Sequence, residues 1–233
     1  MNNSFACRKL VVFDLDGTLI DSNRDIATAL NYSMTTIGGM RLEDIDQQLV
    51  ADLMGKGLEE VFETFLPDKR ELYPSMVVAY RDYYSRNMTT TTQLFPGMLP
   101  ILSTLKELGR ITAIATTKWQ TTADKLADYF GLRPYVDFVQ ATDREGFPLK
   151  PDPFILQLLM EKAQVTPVDT IMIGDTDNDI LCAQRAGVAS VGVIWGAWSK
   201  ESLLKLSPDA IVSTPEQLLA LLLPEAQQYK TLD

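Results

Sequence analysis

The sequence predicts an α/β fold in which an open parallel sheet carries helices on both faces and a block of helices is inserted near its start. Short apolar runs recur along the chain, and most are separated by amphipathic segments of helical length. This alternation is typical of a parallel sheet covered on both faces. The chain of 233 residues is long enough for one such domain with a smaller insertion.

The predicted strands are short, continuous apolar runs. The first covers residues 10–13 and stops at Asp14, a pattern typical of a strand buried on both faces. The later runs are residues 111–115, 138–141, 171–174, 191–194 and 210–212.

Two of the predicted helices have recognisable ends. Residues 153–163 follow Asp152, whose carboxylate suits a helix cap, and Pro153 suits the first turn. Residues 177–186 are followed by Gly187, a residue that favours helix termination.

The segment 20–92 interrupts the alternation, because it shows helical spacing of apolar residues and no convincing strand. The apolar residues fall in four groups, within residues 26–37, 45–53, 61–65 and 76–84. One alternative is that these helices simply cover one face of the sheet. Four consecutive helices are difficult to place in a single crossover, so we predict a helical cap domain at 20–92 and a core of 1–19 and 93–233.

Composition narrows the possible functions. The net charge is −10, which argues against a protein that coats nucleic acid or an anionic membrane. The chain has no histidine, which excludes a Ser-His-Asp hydrolase and a histidine-ligated zinc site. The first nine residues lack the apolar core of a signal peptide, and no apolar run approaches ~20 residues. We therefore expect a cytoplasmic protein.

Polar residues follow several predicted strands at their carboxyl ends, where ligands bind in open α/β sheets. Asp14 and Asp16 follow the first strand, Thr116 the second and Asp175 a later one. In an extended segment Asp14 and Asp16 point to the same side. Residues 174–179 add further acidic side chains, and an all-oxygen cluster of this kind suits a hard cation such as Mg²⁺.

Each of these signals has a simpler structural explanation. Asp177 is best interpreted as a helix cap. For Asp14 and Asp175 a simpler explanation is weak, because each ends an apolar strand, where an unpaired charge is costly. Residues 116–118, Thr-Thr-Lys, offer a hydroxyl and backbone amides for a phosphate, although threonines are common in loops. Lys150 precedes Pro151 and is expected to be extended, but a single lysine is commonly a surface residue.

Together these residues resemble four motifs of the haloacid dehalogenase superfamily, in its phosphoglycolate phosphatase-like branch with a helical cap. The first motif is Asp-Leu-Asp-Gly-Thr at 14–18, extended to the Asp-Ser pair at 21–22. Thr116 matches the second motif, Lys150 the third and residues 174–179 the fourth. The resemblance spans nearly the whole chain and implies a Rossmann-like core.

The resemblance also implies catalytic roles. Asp14 would attack phosphorus and become a phosphoaspartate, and Asp16 would act as general acid and then as general base. Thr116 and Lys150 would hold the transferring phosphoryl group. Mg²⁺ would be held by Asp14, Asp16 and Asp175, through the backbone carbonyl in the case of Asp16. Asp179 would support the metal directly or through water.

Substrate contacts are implied for residues beside these motifs. Thr117 and Lys118 follow the second motif, and Gly55 and Lys56 lie where this branch carries a specificity loop in the cap. By itself, Gly-Lys-Gly at 55–57 is better interpreted as a turn between helices. The branch commonly has Thr-Asn-Lys in its second motif, so Thr-Thr-Lys followed by Trp119 weakens a specific assignment to phosphoglycolate.

The implied function is hydrolysis of a small phosphorylated metabolite by a magnesium-dependent phosphatase, with phosphoglycolate as the leading substrate. A β-phosphoglucomutase-like phosphotransferase or a pyrophosphatase would use the same scaffold. A dehalogenase is disfavoured because Asp16 is an acid. A phospho-accepting signalling module would be about half this length. We expect no nucleic acid or membrane partner, and a monomer or homodimer.

Overall fold

A computed structural model of the protein describes residues 5–41, 53, 56–141 and 147–224. Its main feature is a six-stranded sheet, which consists of β1 (Leu10–Phe13), β4 (Ile111–Ala115), β5 (Phe138–Gln140), β6 (Thr170–Gly174), β7 (Ala189–Val193) and β8 (Ala210–Val212). The strand order is β5-β4-β1-β6-β7-β8, and every strand pair is parallel. The predicted α/β class is confirmed, and all six predicted runs are strands within one or two residues of their expected ends.

Strand β1 lies inside the sheet and organises two cores. All four of its residues are fully buried. Val11 and Phe13 pack into the larger apolar cluster, whereas Leu10 and Val12 pack into a second cluster. Successive side chains of a strand point to opposite faces, so each face of the sheet has its own core.

Nine α-helices lie within the described residues. They are α1 (Asn23–Ser33), α2 (Leu58–Phe65), α3 (Tyr73–Asn87), α4 (Met98–Glu107), α5 (Gln120–Tyr129), α6 (Phe154–Ala163), α7 (Asp177–Ala186), α8 (Lys200–Leu204) and α9 (Pro215–Leu222). None of these described helices has the length and apolar character that a bilayer crossing requires.

The start of α6 differs in detail from the prediction, whereas the end of α7 agrees with it. Helix α6 begins at Phe154 rather than Pro153, and Asp152 Oδ1 accepts a hydrogen bond of 2.9 Å from the Phe154 amide. Helix α7 ends at Gly187 as expected, with φ 68°.

Helices α1, α2 and α3 lie between β1 and β4 in the chain, where helices were predicted. Helix α1 continues into a π-helical turn at Met34–Gly38 and packs along α3. The helix expected within 45–53 falls outside the described residues, except for Leu53. The division into a cap and a core stays a prediction.

A short ribbon that the sequence did not predict flanks this helical segment. Strands β2 (Ile20–Asp21) and β3 (Gln93–Leu94) pair in an antiparallel manner. Each has only two residues, too few to show a period in the sequence. The ribbon brings the start and the end of the predicted cap segment together.

Candidate active site

Asp14 and Thr116 directly follow their strands and extend the backbone hydrogen bonding of the sheet. The Asp14 amide donates to the Ile173 carbonyl at 2.8 Å, and the Thr116 amide donates to the Gln140 carbonyl at 3.1 Å. Both residues therefore follow their strands in a fixed backbone position, with Asp14 7% and Thr116 1% exposed. As the strand-end argument predicts, β1, β4 and β6 bring Asp14, Thr116 and Asp175 to one edge of the sheet.

Three buried carboxylates meet at this edge. Asp14, Asp175 and Asp179 each offer an oxygen atom, and these atoms all lie within 4.8 Å of one another. Burial raises the pKa of Asp14 well above its ordinary value, and Lys150 opposes this effect. Burial, followed by the neighbouring Asp179 charge, raises the pKa of Asp175 to about 7. The protein alone therefore disfavours full ionisation of the cluster.

Lys150 supplies one positive charge to the cluster. Its Nζ lies 2.5 Å from Asp14 Oδ1, 2.6 Å from Asp179 Oδ1 and 3.0 Å from the Ala115 carbonyl oxygen. Burial acts to lower the pKa of the ammonium group, but Asp14 and Asp179 outweigh it and the net shift is upward. Lys150 is therefore a buried, permanently charged partner of Asp14.

The donor set fits a magnesium ion. It consists of carboxylate oxygens, and one lysine leaves the three acids with excess negative charge. Asp175 is held in place by Thr18 Oγ1, which donates to Oδ1 at 3.2 Å, and by the Ala197 amide, which donates to Oδ2 at 2.7 Å. These groups match the hard-cation site that the sequence predicts.

Two glycines allow the chain to approach Asp175 closely. A Cβ atom on Gly196 would lie 2.2 Å from Asp175 Oδ2 and 2.4 Å from the Gly17 carbonyl oxygen. Gly17 itself has φ +78°. Gly196 and Ala197 are missing from the predicted site, although both come just after the run that forms β7. The strand-end rule, applied to that run as well, would have found them.

Asp16 lies apart from the three-carboxylate cluster. Its Oδ1 accepts a hydrogen bond from Ser22 Oγ and lies 3.1 Å from Lys118 Nζ. Lys118 Nζ also donates to the Tyr84 hydroxyl at 2.8 Å. Because Tyr84 belongs to α3, Lys118 links the helical segment to the sheet edge. Tyr84 gave no signal in the sequence beyond its place on an apolar helix face.

The other predicted residues occupy different surroundings. The Lys118 amide donates to Thr116 Oγ1 at 3.2 Å, and Thr117 lines the cavity described below. Lys56 lines the same cavity, with its Nζ 3.0 Å from Glu60 Oε1. Gly55 lies outside the described residues.

The prediction for Asp177 is wrong in one respect. The residue that caps α7 is Thr176, which forms a capping box with Asp179. Asp177 is the first residue of the helix, and its Oδ1 accepts from the Asn178 amide. The carboxylate of Asp179 thus serves both the helix cap and the acidic cluster.

A cavity of about 1140 Å³ lies over the sheet edge. Asp14, Asp16 and Lys150 line it from the sheet side, and Tyr84 and Arg81 line it from α3. Side chains from the helical segment therefore face the acidic residues across one cavity.

Comparison with known proteins decides the family. Residues 11–193 match the family model of haloacid dehalogenase-like hydrolases. The chain belongs to this family. The predicted family is thereby confirmed, and the shared hydrolase fold accounts for the strand-end site.

Similar proteins of this hydrolase family include named phosphatases. The chain is 31% identical over 227 residues to a phosphoglycolate phosphatase of Vibrio vulnificus, covering 94% of this chain and 97% of that protein. It is 33% identical over 215 residues to a phosphoglycolate phosphatase of Aquifex aeolicus, covering 92% and 96%. The crystal structure of a predicted phosphatase from Clostridium acetobutylicum superposes with TM-score 0.83 at 27% identity, covering 91% and 96%. The predicted enzyme class, a phosphatase, is confirmed.

Proposed function

We propose that this hydrolase is a magnesium-dependent phosphomonoesterase that transfers the phosphoryl group to Asp14 before releasing it to water. The supporting observation is the position of Asp14. Its carboxylate lies at the cavity, 2.5 Å from the Lys150 ammonium and beside Asp175 and Asp179. The Lys150 ammonium opposes the effect of burial on the pKa of Asp14 and so favours the ionised carboxylate, which is the form able to act as a nucleophile.

The reaction would have two steps. An oxygen of Asp14 attacks phosphorus while the bond from phosphorus to the ester oxygen breaks, and Asp16 donates a proton to the departing alkoxide. Asp16 then takes a proton from water as the water oxygen attacks phosphorus and the bond from phosphorus to the Asp14 oxygen breaks. The products of this second step are inorganic phosphate and the free Asp14 carboxylate.

The contacts of Asp16 support a proton-transfer role. Ser22 and Lys118 both contact Oδ1, which fixes the orientation of the carboxylate. Within the described part of the chain, no hydrogen bond is made to Oδ2, so that oxygen is free to exchange a proton with a substrate. The side chain is 22% exposed and faces the cavity.

Asp14, Asp175 and the Asp16 backbone carbonyl are the groups we propose to hold Mg²⁺. The ion would neutralise charge on the phosphoryl oxygens. Asp179 is already engaged at both oxygens, by Lys150 at Oδ1 and by Thr176 at Oδ2. We therefore assign Asp179 a supporting role, through water or through the orientation of Lys150.

We propose a small metabolite ester as substrate, with phosphoglycolate first among them. Two similar proteins carry the name phosphoglycolate phosphatase. The side chains of Thr117, Lys118 and Lys56 line the cavity and are the proposed contacts to the substrate. Thr116 and Lys150 are the proposed contacts to the phosphoryl group.

Replacement of the nucleophile tests this function. Asp14→Asn is expected to lower kcat on p-nitrophenyl phosphate with Mg²⁺ by ~10³-fold or more, because an amide is a poor nucleophile. Asp21→Asn serves as the control, since Asp21 is an exposed acid of β2 outside the cavity. Turnover by Asp14→Asn at the wild-type rate would contradict the proposal.

A further inference from the structure

Among the described residues, four cationic side chains line the cavity, and three of them are paired with carboxylates. Lys150 pairs with Asp14 and Asp179, Lys118 with Asp16, and Lys56 with Glu60. Arg81 is the fourth, and within the described residues its guanidinium has no carboxylate within 4.0 Å. A half-buried cation facing a cavity without a partner is a natural receptor for an anion.

Trp119 holds the Arg81 side chain. The guanidinium carbon lies 3.4 Å from the centroid of the indole ring, a cation–π contact between α3 and the loop after β4. Stacking uses the flat face of the guanidinium and leaves the N–H groups at its edge free to donate. Trp119 is the bulky residue that follows the Thr-Thr-Lys motif, so its contact with Arg81 gives it a structural role.

The residues around Arg81 place its guanidinium in the same cavity as the proposed catalytic groups. Tyr80 lies in the same cavity wall, and its buried hydroxyl interacts electrostatically with Lys118, Asp16 and Arg81. Burial lowers the pKa of Arg81, which is the direction expected of a cation that lacks a close anionic partner. Among the described residues, Glu59 is the carboxylate whose charge acts on Arg81.

We propose that Arg81, positioned by Trp119, binds a second anionic group on the leaving side of the substrate. The inference deepens the proposed phosphatase function and rests on it. It assigns the substrate class as small phosphate esters or anhydrides whose leaving group carries a carboxylate or a further phosphate. Lys56, the residue that the sequence suggested for this role, already shares its charge with Glu60.

Two esters that differ only in this anionic group test the assignment. Phosphoglycolate carries a carboxylate where 2-hydroxyethyl phosphate carries a neutral hydroxymethyl group. The wild-type enzyme with Mg²⁺ is expected to prefer phosphoglycolate in kcat/KM. In Arg81→Met the ratio of the two kcat/KM values should fall about 10-fold or more, as expected for a lost charged hydrogen bond. Pyrophosphate as a third substrate distinguishes a phosphate from a carboxylate as the preferred anion.

Further variants separate binding from a structural role. Arg86→Met is the matched control, because Arg86 lies on the same helix, is exposed and, unlike its partner Asp82, does not line the cavity. That control should keep the wild-type ratio. Trp119→Leu should lower the ratio and Trp119→Phe should restore part of it, since an aromatic face is retained.

The outcomes are distinct. Equal losses on both esters in Arg81→Met, or a wild-type enzyme without preference for the acidic substrates, would overturn this inference and leave the phosphatase function intact. Failure of the wild type to hydrolyse any phosphate ester would overturn the proposed function and the inference with it.

Discussion

At the residue scale, the site separates two aspartates that lie only two positions apart. Asp14 is buried against Lys150 and the acidic cluster, whereas Asp16 is partly exposed and is oriented by Ser22 and Lys118. Two carboxylates in different surroundings suit different tasks. In the proposed mechanism, the first attacks phosphorus and the second transfers protons.

The role of Asp16 as an acid predicts a dependence on the leaving group. p-Nitrophenolate departs without a proton, whereas an alkoxide needs one. Asp16→Asn is therefore expected to lower kcat/KM for 2-hydroxyethyl phosphate by ~10²–10⁴-fold and that for p-nitrophenyl phosphate far less. Steady-state kinetics on both esters measure this difference. A loss of equal size on the two substrates would remove Asp16 from the role of general acid.

The sequence revealed the residues at this scale in part. Asp14, Thr116 and Asp175 were predictable because each directly follows a buried apolar strand. The carboxyl ends of parallel strands lie at the same edge of the sheet, so residues that follow these strands come together there. Thr18 was given no role of its own, although it donates a hydrogen bond to Asp175. That contact depends on how two loops fold against each other, which no local pattern records.

At the element scale, the turn before α7 couples helix stability to the site. Thr176 caps the helix and, through its amide and hydroxyl, holds Asp179 Oδ2, while Lys150 holds the other oxygen. The first turn of the helix and the acidic cluster thus share one carboxylate.

This coupling predicts that two similar caps differ in their effect on activity. Thr176→Ala should reduce the free energy of unfolding by about 1 kcal/mol, the usual cost of losing a cap, and should also lower kcat. Thr214→Ala removes the corresponding cap of α9, where the threonine accepts from the Gln217 amide. That control should lose similar stability and keep its activity. Equal activity of the two variants would show that Thr176 is only a cap.

The strands and most helices were predictable because the apolar residues within each element show the run or the spacing that is typical of it. A parallel strand such as β1 is apolar throughout, and α7 ends at a glycine in the left-handed region. The ribbon of β2 and β3 was not predictable, since two residues carry no period. The true cap of α7 was misplaced by one residue, because Thr176 and Asp177 are both good capping residues and only geometry separates them.

At the scale of the whole molecule, helices from the middle of the chain close over the sheet edge. Arg81 and Tyr84 from α3 meet Trp119 and Lys118 from the loop after β4. These contacts join residues far apart in sequence, so they were invisible before the fold was known. They make the cavity a joint product of the helical segment and the sheet.

The acidic cluster predicts how stability depends on pH and on Mg²⁺. The pKa of Asp175 is about 7 in the folded metal-free protein and near 3.8 when unfolded, so between these values the folded state holds a proton that the unfolded state has lost. The free energy of unfolding without metal should therefore fall as pH rises across that window. The raised pKa of Asp14 acts in the same direction.

Magnesium should reverse this loss, because it binds the ionised carboxylates. The rise in Tm on adding Mg²⁺ should be larger at about pH 8 than at about pH 5. Asp175→Asn should abolish most of the difference. The same rise at both pH values in the wild-type protein would contradict the assignment of these acids to the metal.

The central claim is that Asp14 carries the phosphoryl group during turnover. Acid quenching during turnover of a phosphate ester, followed by tryptic digestion and mass spectrometry, tests it directly on the peptide 10–24. The account predicts one added phosphoryl group on Asp14, more abundant in Asp16→Asn because the second step lacks its base. A turning-over enzyme whose phosphoryl group is absent from this peptide in both proteins, or lies on another residue, would contradict the account.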